Sequence, residues 1–172
     1  MKKVCAMLLL LLSVTAFASD NSTTNTTAHW NSIVGVITAP GVDNPVSKNI
    51  HSGTFAWSAS SGNASVDLVT GNTSFAVQGL VINGTMFSGT QGPVPAVTGT
   101  LVCNAGTNTE TALDTKPARL SQQGNAKFKG PLQGTVPPSC GNPLFLLRIA
   151  NLKGANGLWI ATGAVRTISA KY

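Results

Sequence analysis

The chain has 172 residues, of which 42% are hydrophobic and only 9% are charged, and its formal net charge is +6. This length suits one domain that buries roughly 70% of the surface of the unfolded chain. Scarce charges and plentiful Ser, Thr, Asn and Gly favour short, turn-bounded strands over amphipathic helices. The basic residues are scattered through the sequence instead of clustered, which argues against a nucleic-acid-binding protein.

The first eighteen residues have the three parts of a secretory signal peptide. Lys2 and Lys3 form a positive n-region, residues 4–12 an apolar h-region, and residues 16–18 a small-x-small cleavage site. The apolar run is shorter than the stretch of about 20 residues that spans a bilayer. We therefore predict that residues 1–18 are removed, that no transmembrane segment remains, and that the mature protein is secreted or periplasmic.

The rest of the chain divides into an arm and one domain. Residues 19–28 read SDNSTTNTTA and contain almost no apolar side chain, so we expect a disordered N-terminal arm. In residues 29–172, turn residues separate apolar runs at intervals of roughly 8–12 residues. We predict that this part is a single all-β domain, an antiparallel β-sandwich with Ig-like organisation, and we keep a β-barrel as the alternative.

Two strand signals stand in the middle of the domain. Asn83-Gly84 lies between Leu80-Val81-Ile82 and Thr85-Met86-Phe87, and predicts a two-residue type I′ hairpin. Residues 96–103 alternate, which places Cys103 on the same face as Leu101, toward the expected core.

Two further strands follow. In residues 125–129, strand periodicity places Lys127 and Lys129 on one face, opposite Phe128. A solvated strand face explains this pair, and weak attraction to anionic surfaces or polymers is the functional alternative. Residues 144–150, LFLLRIA, are almost wholly apolar and predict a central strand.

Two cysteines, Cys103 and Cys140, remain after the signal segment and its Cys5 are removed. In an oxidising compartment, such a pair is expected to form one disulfide. A redox or metal-binding pair is the alternative, but the spacing is not C-x-x-C and no histidine is close in sequence.

Most catalytic signatures are missing from the sequence, including the G-x-S-x-G elbow, the P-loop and H-E-x-x-H. We therefore assign no catalytic residue, cofactor or metal ligand. The alternative is a secreted hydrolase of uncertain class that uses His29 or His51 with an acid, an arrangement that a third, nucleophilic group must complete in space.

The candidate ligand contacts are Trp57, Trp159 and Arg148. A flat, exposed tryptophan would indicate a carbohydrate-binding module, whereas buried tryptophans would be core residues. Arg148 interrupts an apolar strand, so it either pairs with an acid such as Asp67 or Asp114 or binds an anion.

The C-terminal half resembles a loose pattern found in small secreted bacterial proteins of unknown function. The segments that carry the resemblance lie between Val97 and Val165 and read VTGTLVCN, LSQQGNAKFKG, PPSCGNPLFLLRIA and LWIATGAV. The resemblance implies a bacterial, disulfide-linked β domain and offers no catalytic residue.

Taken together, the sequence predicts a secreted, non-catalytic structural or binding domain whose ligand is unknown. The partner is unknown, with a cell-surface or extracellular polymer as the candidate, and we expect no nucleic-acid partner. The hydrolase and the carbohydrate-binding module are the alternatives.

Overall fold

The computed structural model describes residues 25–39, 41–150 and 157–171. These residues contain eleven β-strands and no helix, which confirms the all-β prediction for this part of the chain. In chain order, the strands are β1 Asn25–Gly35, β2 Ala56–Ser58, β3 Ser61–Asp67, β4 Asn72–Gln78, β5 Val81–Asn83, β6 Ala96–Cys103, β7 Thr111–Asp114, β8 Ala118–Arg119, β9 Ala126–Pro131, β10 Leu144–Ile149 and β11 Trp159–Lys171.

Nine of the strands form one antiparallel sheet. Its order is β7-β6-β10-β11-β1-β3-β4-β9, and the short β8 pairs with β6 beside β7. Strand β10 lies between β6 and β11, as expected of a central strand. The strands alternate as their sequences predict: in β4, Thr73, Phe75 and Val77 are buried and the residues between them face outward.

The sheet curls around an aromatic core. Phe145 of β10 packs against Trp30 of β1 and Phe75 of β4, with ring centroids 5.5 and 5.8 Å apart. Gly99 of β6 allows this close approach, because a Cβ there would lie 2.9 Å from atoms of both phenylalanine rings. The missing side chain therefore lets β6 approach β4 across the core, although the two strands are far apart in the sheet order.

The sheet curls into a half-barrel, and two backbone hydrogen bonds link the chain near its β7–β8 end to the chain near its β9 end. Ser121 N donates to Asn125 O in the turn from β8 to β9, and Gln133 N donates to Asp114 O at 2.7 Å. A second sheet of β2 and β5 joins β1 through the hydrogen bond from Trp57 N to Val36 O. The buried Trp57 and Ile82 face each other across this small sheet. The architecture is consistent with both predicted alternatives, sandwich and barrel.

The predicted disordered arm, residues 19–28, is wrong for its last four residues. Strand β1 begins at Asn25, and Ala28 is fully buried. Residues 27–30 pair with β11 on one side and β3 on the other. Backbone hydrogen bonds on both edges therefore order a segment that has few apolar side chains.

The predicted Asn83-Gly84 hairpin is also wrong. Asn83 ends β5, which pairs with β2, and only Gly84 has a positive φ, of 71°. Ile82 instead exchanges backbone hydrogen bonds with Gly89 and Thr90, so a longer loop closes there. The strand partner of β5 comes from elsewhere in the chain, which a local turn signal does not reveal.

The predicted signal peptide, residues 1–18, and residues 19–24 of the predicted arm lie outside the described residues. The single domain over residues 29–172 stays a prediction.

Candidate functional site

The predicted disulfide is confirmed. Cys103, the last residue of β6, is bonded to Cys140, which is 37 residues further along the chain. Asn104 reinforces the closure: its Nδ2 donates to Ser139 O at 3.0 Å, and its Oδ1 accepts from Gly141 N at 2.8 Å. The bond therefore holds the long, proline-rich connection before β10 against the end of β6.

The tryptophans that were candidates for ligand contact are core residues. Trp57 is 3% exposed and Trp159 is 9% exposed, and Trp30 is equally buried. The indole Nε1 of Trp159 donates to Asn44 O at 2.9 Å, which satisfies its polar atom within the protein. The flat, exposed tryptophan expected of a carbohydrate-binding module is therefore not found among the described side chains.

Arg148 has structural partners. Its Nε donates to Gly157 O at 2.9 Å, and its Nη1 lies 3.8 Å from Oδ1 of Asp114. That carboxylate oxygen also accepts a hydrogen bond of 2.6 Å from the Thr100 hydroxyl. Of the two acids predicted as partners, Asp114 is the one found beside Arg148, whereas Asp67 Oδ1 accepts the backbone amides of Val69 and Thr70.

His51 lies in an irregular loop, residues 42–52, and contacts an acid. Its Nδ1 is 2.5 Å from Oδ2 of Asp43, and its Nε2 is 2.9 Å from Lys48 O. The hydrogen bond with Asp43, followed by the bond with Lys48 O, raises the pKa of His51. The same hydrogen bond lowers the pKa of Asp43.

This His–Asp pair does not form a catalytic triad. A general-base histidine needs a free nitrogen that faces a nucleophile. Here both ring nitrogens face oxygen acceptors, an arrangement that suits the doubly protonated imidazolium. The Ser52 hydroxyl is buried, and its Oγ accepts a hydrogen bond from Asn44 N at 2.9 Å.

The pair instead shapes the 42–52 loop, which is hydrogen-bonded to the start of β11. Trp159 N donates to His51 O, and Gly53 N donates to Trp159 O, at 2.9 and 2.8 Å. Asp43 Oδ1 accepts from Ser52 N at 3.2 Å and so joins the two ends of the loop. Sequence reasoning missed Asp43, because only the loop geometry brings it back to His51.

His29 lies apart from this loop, in β1, in register with Ser65 of β3 and Thr167 of β11. Across the ranges that the structure describes, no group of three or more His, Cys, Asp or Glu side chains could hold a metal ion.

The outward side of β3, β4 and β9 carries a set of polar residues that we call the lysine face. Lys127 and Lys129 are exposed on β9, as the strand periodicity predicted. Each lysine heads a row of residues in register across the sheet. These rows are Lys129, Ser74, Ser65 and His29, and Lys127, Ala76 and Asn63.

Arg119 of β8 extends the lysine face at its edge. Together with Lys127, Asn125 and Gln78, it lines an open groove of about 500 Å³. A second depression, of about 340 Å³, lies beside Lys129 and Ser74. Arg119 was not singled out by the sequence, because the β8–β9 turn that brings it near Lys127 has no charge signature of its own.

Comparison with family models, curated proteins and solved structures finds no match to this chain. The resemblance of the C-terminal half to small secreted bacterial proteins stays a prediction. In the described parts of the chain, no helix is long and apolar enough to cross a membrane.

Proposed function

We propose that the mature chain is an exported, non-catalytic binding domain that holds an extracytoplasmic ligand on the lysine face. The observation that carries the proposal is the grouping of Lys127, Lys129 and Arg119 beside two surface depressions on one side of the sheet. Export is supported by the signal-like residues 1–18 and by the disulfide, because such bonds persist in oxidising compartments.

The non-catalytic part of the proposal rests on His51. Its two nitrogens are bound to Asp43 and to the Lys48 carbonyl, so a substrate proton has no free acceptor on the ring. Apart from Ala76, the residues of the lysine face are lysine, arginine, serine, asparagine and histidine, which suit binding through charge and hydrogen bonds.

The test compares binding by two tryptophan variants. Ala76 lies at the centre of the lysine face, in register with Lys127 and Asn63, and its side chain faces outward. In A76W, an indole would cover the face. The control is V34W, because Val34 is 46% exposed on β1 and lies in register with Thr162 of β11.

The parent protein and both variants are applied to an immobilised panel of neutral and charged polysaccharides. We expect the parent and V34W to bind at least one polymer and A76W to lose that binding. A parent that binds no member of the panel, or an A76W variant that binds like the parent, overturns the proposal. Turnover of chromogenic esters or glycosides that disappears in H51Q overturns its non-catalytic part.

A further inference from the structure

The cations of the lysine face have a regular placement. Lys127 and Lys129 are two residues apart on β9, which separates their backbones by about 7 Å in an extended strand. Arg119 shares the groove of Lys127 and adds a third positive charge at the Lys127 end. A linear ligand that lies along β9 therefore meets several positive charges in succession.

The acids in the described ranges have partners of their own. Asp43 contacts His51, and Asp114 contacts Thr100 and Arg148. Glu110 accepts from Gly106 N at 2.7 Å. Asp67 caps the turn after β3. Because none of these hydrogen bonds or ion pairs involves the cations of the lysine face, the face suits an anionic partner.

The uncharged residues of the face distinguish among anionic partners. Ser65, Ser74 and Asn63 supply hydroxyl and amide groups beside the lysines, and these groups pair well with sugar hydroxyls. The two rows contain no Phe, Tyr or Trp, and His29 at the far end of one row is their single aromatic side chain, so they lack the series of rings on which successive nucleobases stack. They also contain no large aliphatic side chain that could enter a lipid layer.

We propose that the lysine face binds an anionic polysaccharide. Lys127, Lys129 and Arg119 contact its acidic groups, and the serine and asparagine rows contact its hydroxyls. This inference rests on the proposed function and names the chemistry of its ligand.

Lysines on an edge strand can also serve without a ligand, because their charge discourages edge-to-edge pairing of sheets. Strand β9 is the last in the sheet order, so this second role applies to Lys127 and Lys129. Residue 76 lies on β4 between two paired strands, so its side chain does not protect a sheet edge. Charge changes at position 76 therefore separate the two roles.

The experiment measures binding to polygalacturonate, with neutral dextran as the control polymer. A76E and A76K place opposite charges at the same outward position. We expect A76K to bind at least as tightly as the parent, and A76E to bind more weakly than any single neutralised variant. K127Q, K129Q and R119Q should each weaken binding by about two- to fivefold, the range of an exposed charge pair. K48Q removes one charge outside the face and should leave affinity unchanged.

Equal binding of A76E and A76K, or equal losses in K48Q and K127Q, overturns the polyanion assignment. Tighter binding to duplex DNA or to phosphatidylglycerol vesicles than to polygalacturonate overturns the polysaccharide assignment. Dextran binding that A76W abolishes and A76E leaves intact also overturns the inference, but leaves the proposed function standing. If no polymer shows binding that A76W weakens, the inference and the proposed function are both overturned.

Discussion

Two irregular segments are fastened to the sheet by different chemistry. The connection between β9 and β10 is held to β6 by the covalent bond between Cys103 and Cys140. The 42–52 loop is held by the Asp43–His51 pair and by hydrogen bonds to Trp159. The first attachment responds to reductant and the second to pH.

The two attachments stabilise different parts of the molecule. A disulfide acts mainly by restricting the unfolded chain, so its effect reaches the whole domain. The polar contacts of the 42–52 loop act on the folded state, and the Asp43 and His51 side chains are about half exposed. Water competes for such contacts, and their effect is local.

The largest expected effect follows removal of the disulfide. A C103A/C140A variant should lose about 4 kcal/mol of unfolding free energy, the value of the chain-entropy relation for a loop of this size. Urea unfolding of the oxidised parent and of the variant measures the loss. The reduced parent should resemble the variant, and a variant as stable as the oxidised protein contradicts the prediction.

Asn104 is the non-covalent part of the same attachment. It has a φ of 55° and makes side-chain hydrogen bonds to Ser139 and Gly141. N104A should cost about 2–3 kcal/mol, because it loses these bonds and strains a left-handed backbone. N104G loses the bonds but accepts the backbone, and should cost less. Equal unfolding midpoints in urea for the two variants would exclude the strain.

Sequence periodicity predicts much of the fold. The predictions that were wrong have a common cause. The alternation in β4 and β9 predicts which residues face the core, whereas both sets of alternating residues are buried in β6. The central position of β10 follows from its apolar run. The Asn83-Gly84 hairpin failed because β5 pairs with β2, a strand over twenty residues earlier. Local turn chemistry does not specify pairing between distant strands.

The candidate site was only partly predictable for the same reason. The shared face of Lys127 and Lys129 follows from a period of two residues. The contribution of Arg119 depends on the β8–β9 turn, and the contact of His51 with Asp43 depends on the path of a loop. The burial of Trp57 and Trp159 depends on which sheet covers them. Amino-acid composition does not predict this packing.

A smaller effect tests how the 42–52 loop is attached to β11. In W159F, an aromatic ring remains in the core, but the hydrogen bond from Nε1 to Asn44 O is lost. We expect a loss of about 1–2 kcal/mol, because a partly buried carbonyl loses its donor and the ring is smaller. Hydrogen exchange should quicken at Ser52 and stay unchanged at Gly141. Equal changes at both amides would mean that the two attachments are coupled.

The smallest expected effect is the response of the 42–52 loop to pH. The hydrogen bond with Asp43 raises the pKa of His51 above its ordinary value of 6.5. The folded state therefore favours the imidazolium, and its stabilising effect is complete below about pH 6.5. That effect is lost as the pH rises through the raised pKa. On the acid side, the pKa of Asp43 is lowered, so its contribution is lost as the pH falls through that lowered value.

Amide protection factors, corrected for intrinsic exchange, measure this response. Protection of Ser52, whose amide donates to Asp43, should fall as His51 deprotonates, while Gly141 beside the disulfide should show no such change. In D43N, an NMR titration should find the pKa of His51 closer to 6.5, because the largest cause of its rise is gone. An unchanged His51 titration in D43N would show that the Lys48 carbonyl alone holds the proton, and the loop would then be closed by a backbone contact instead of an ion pair.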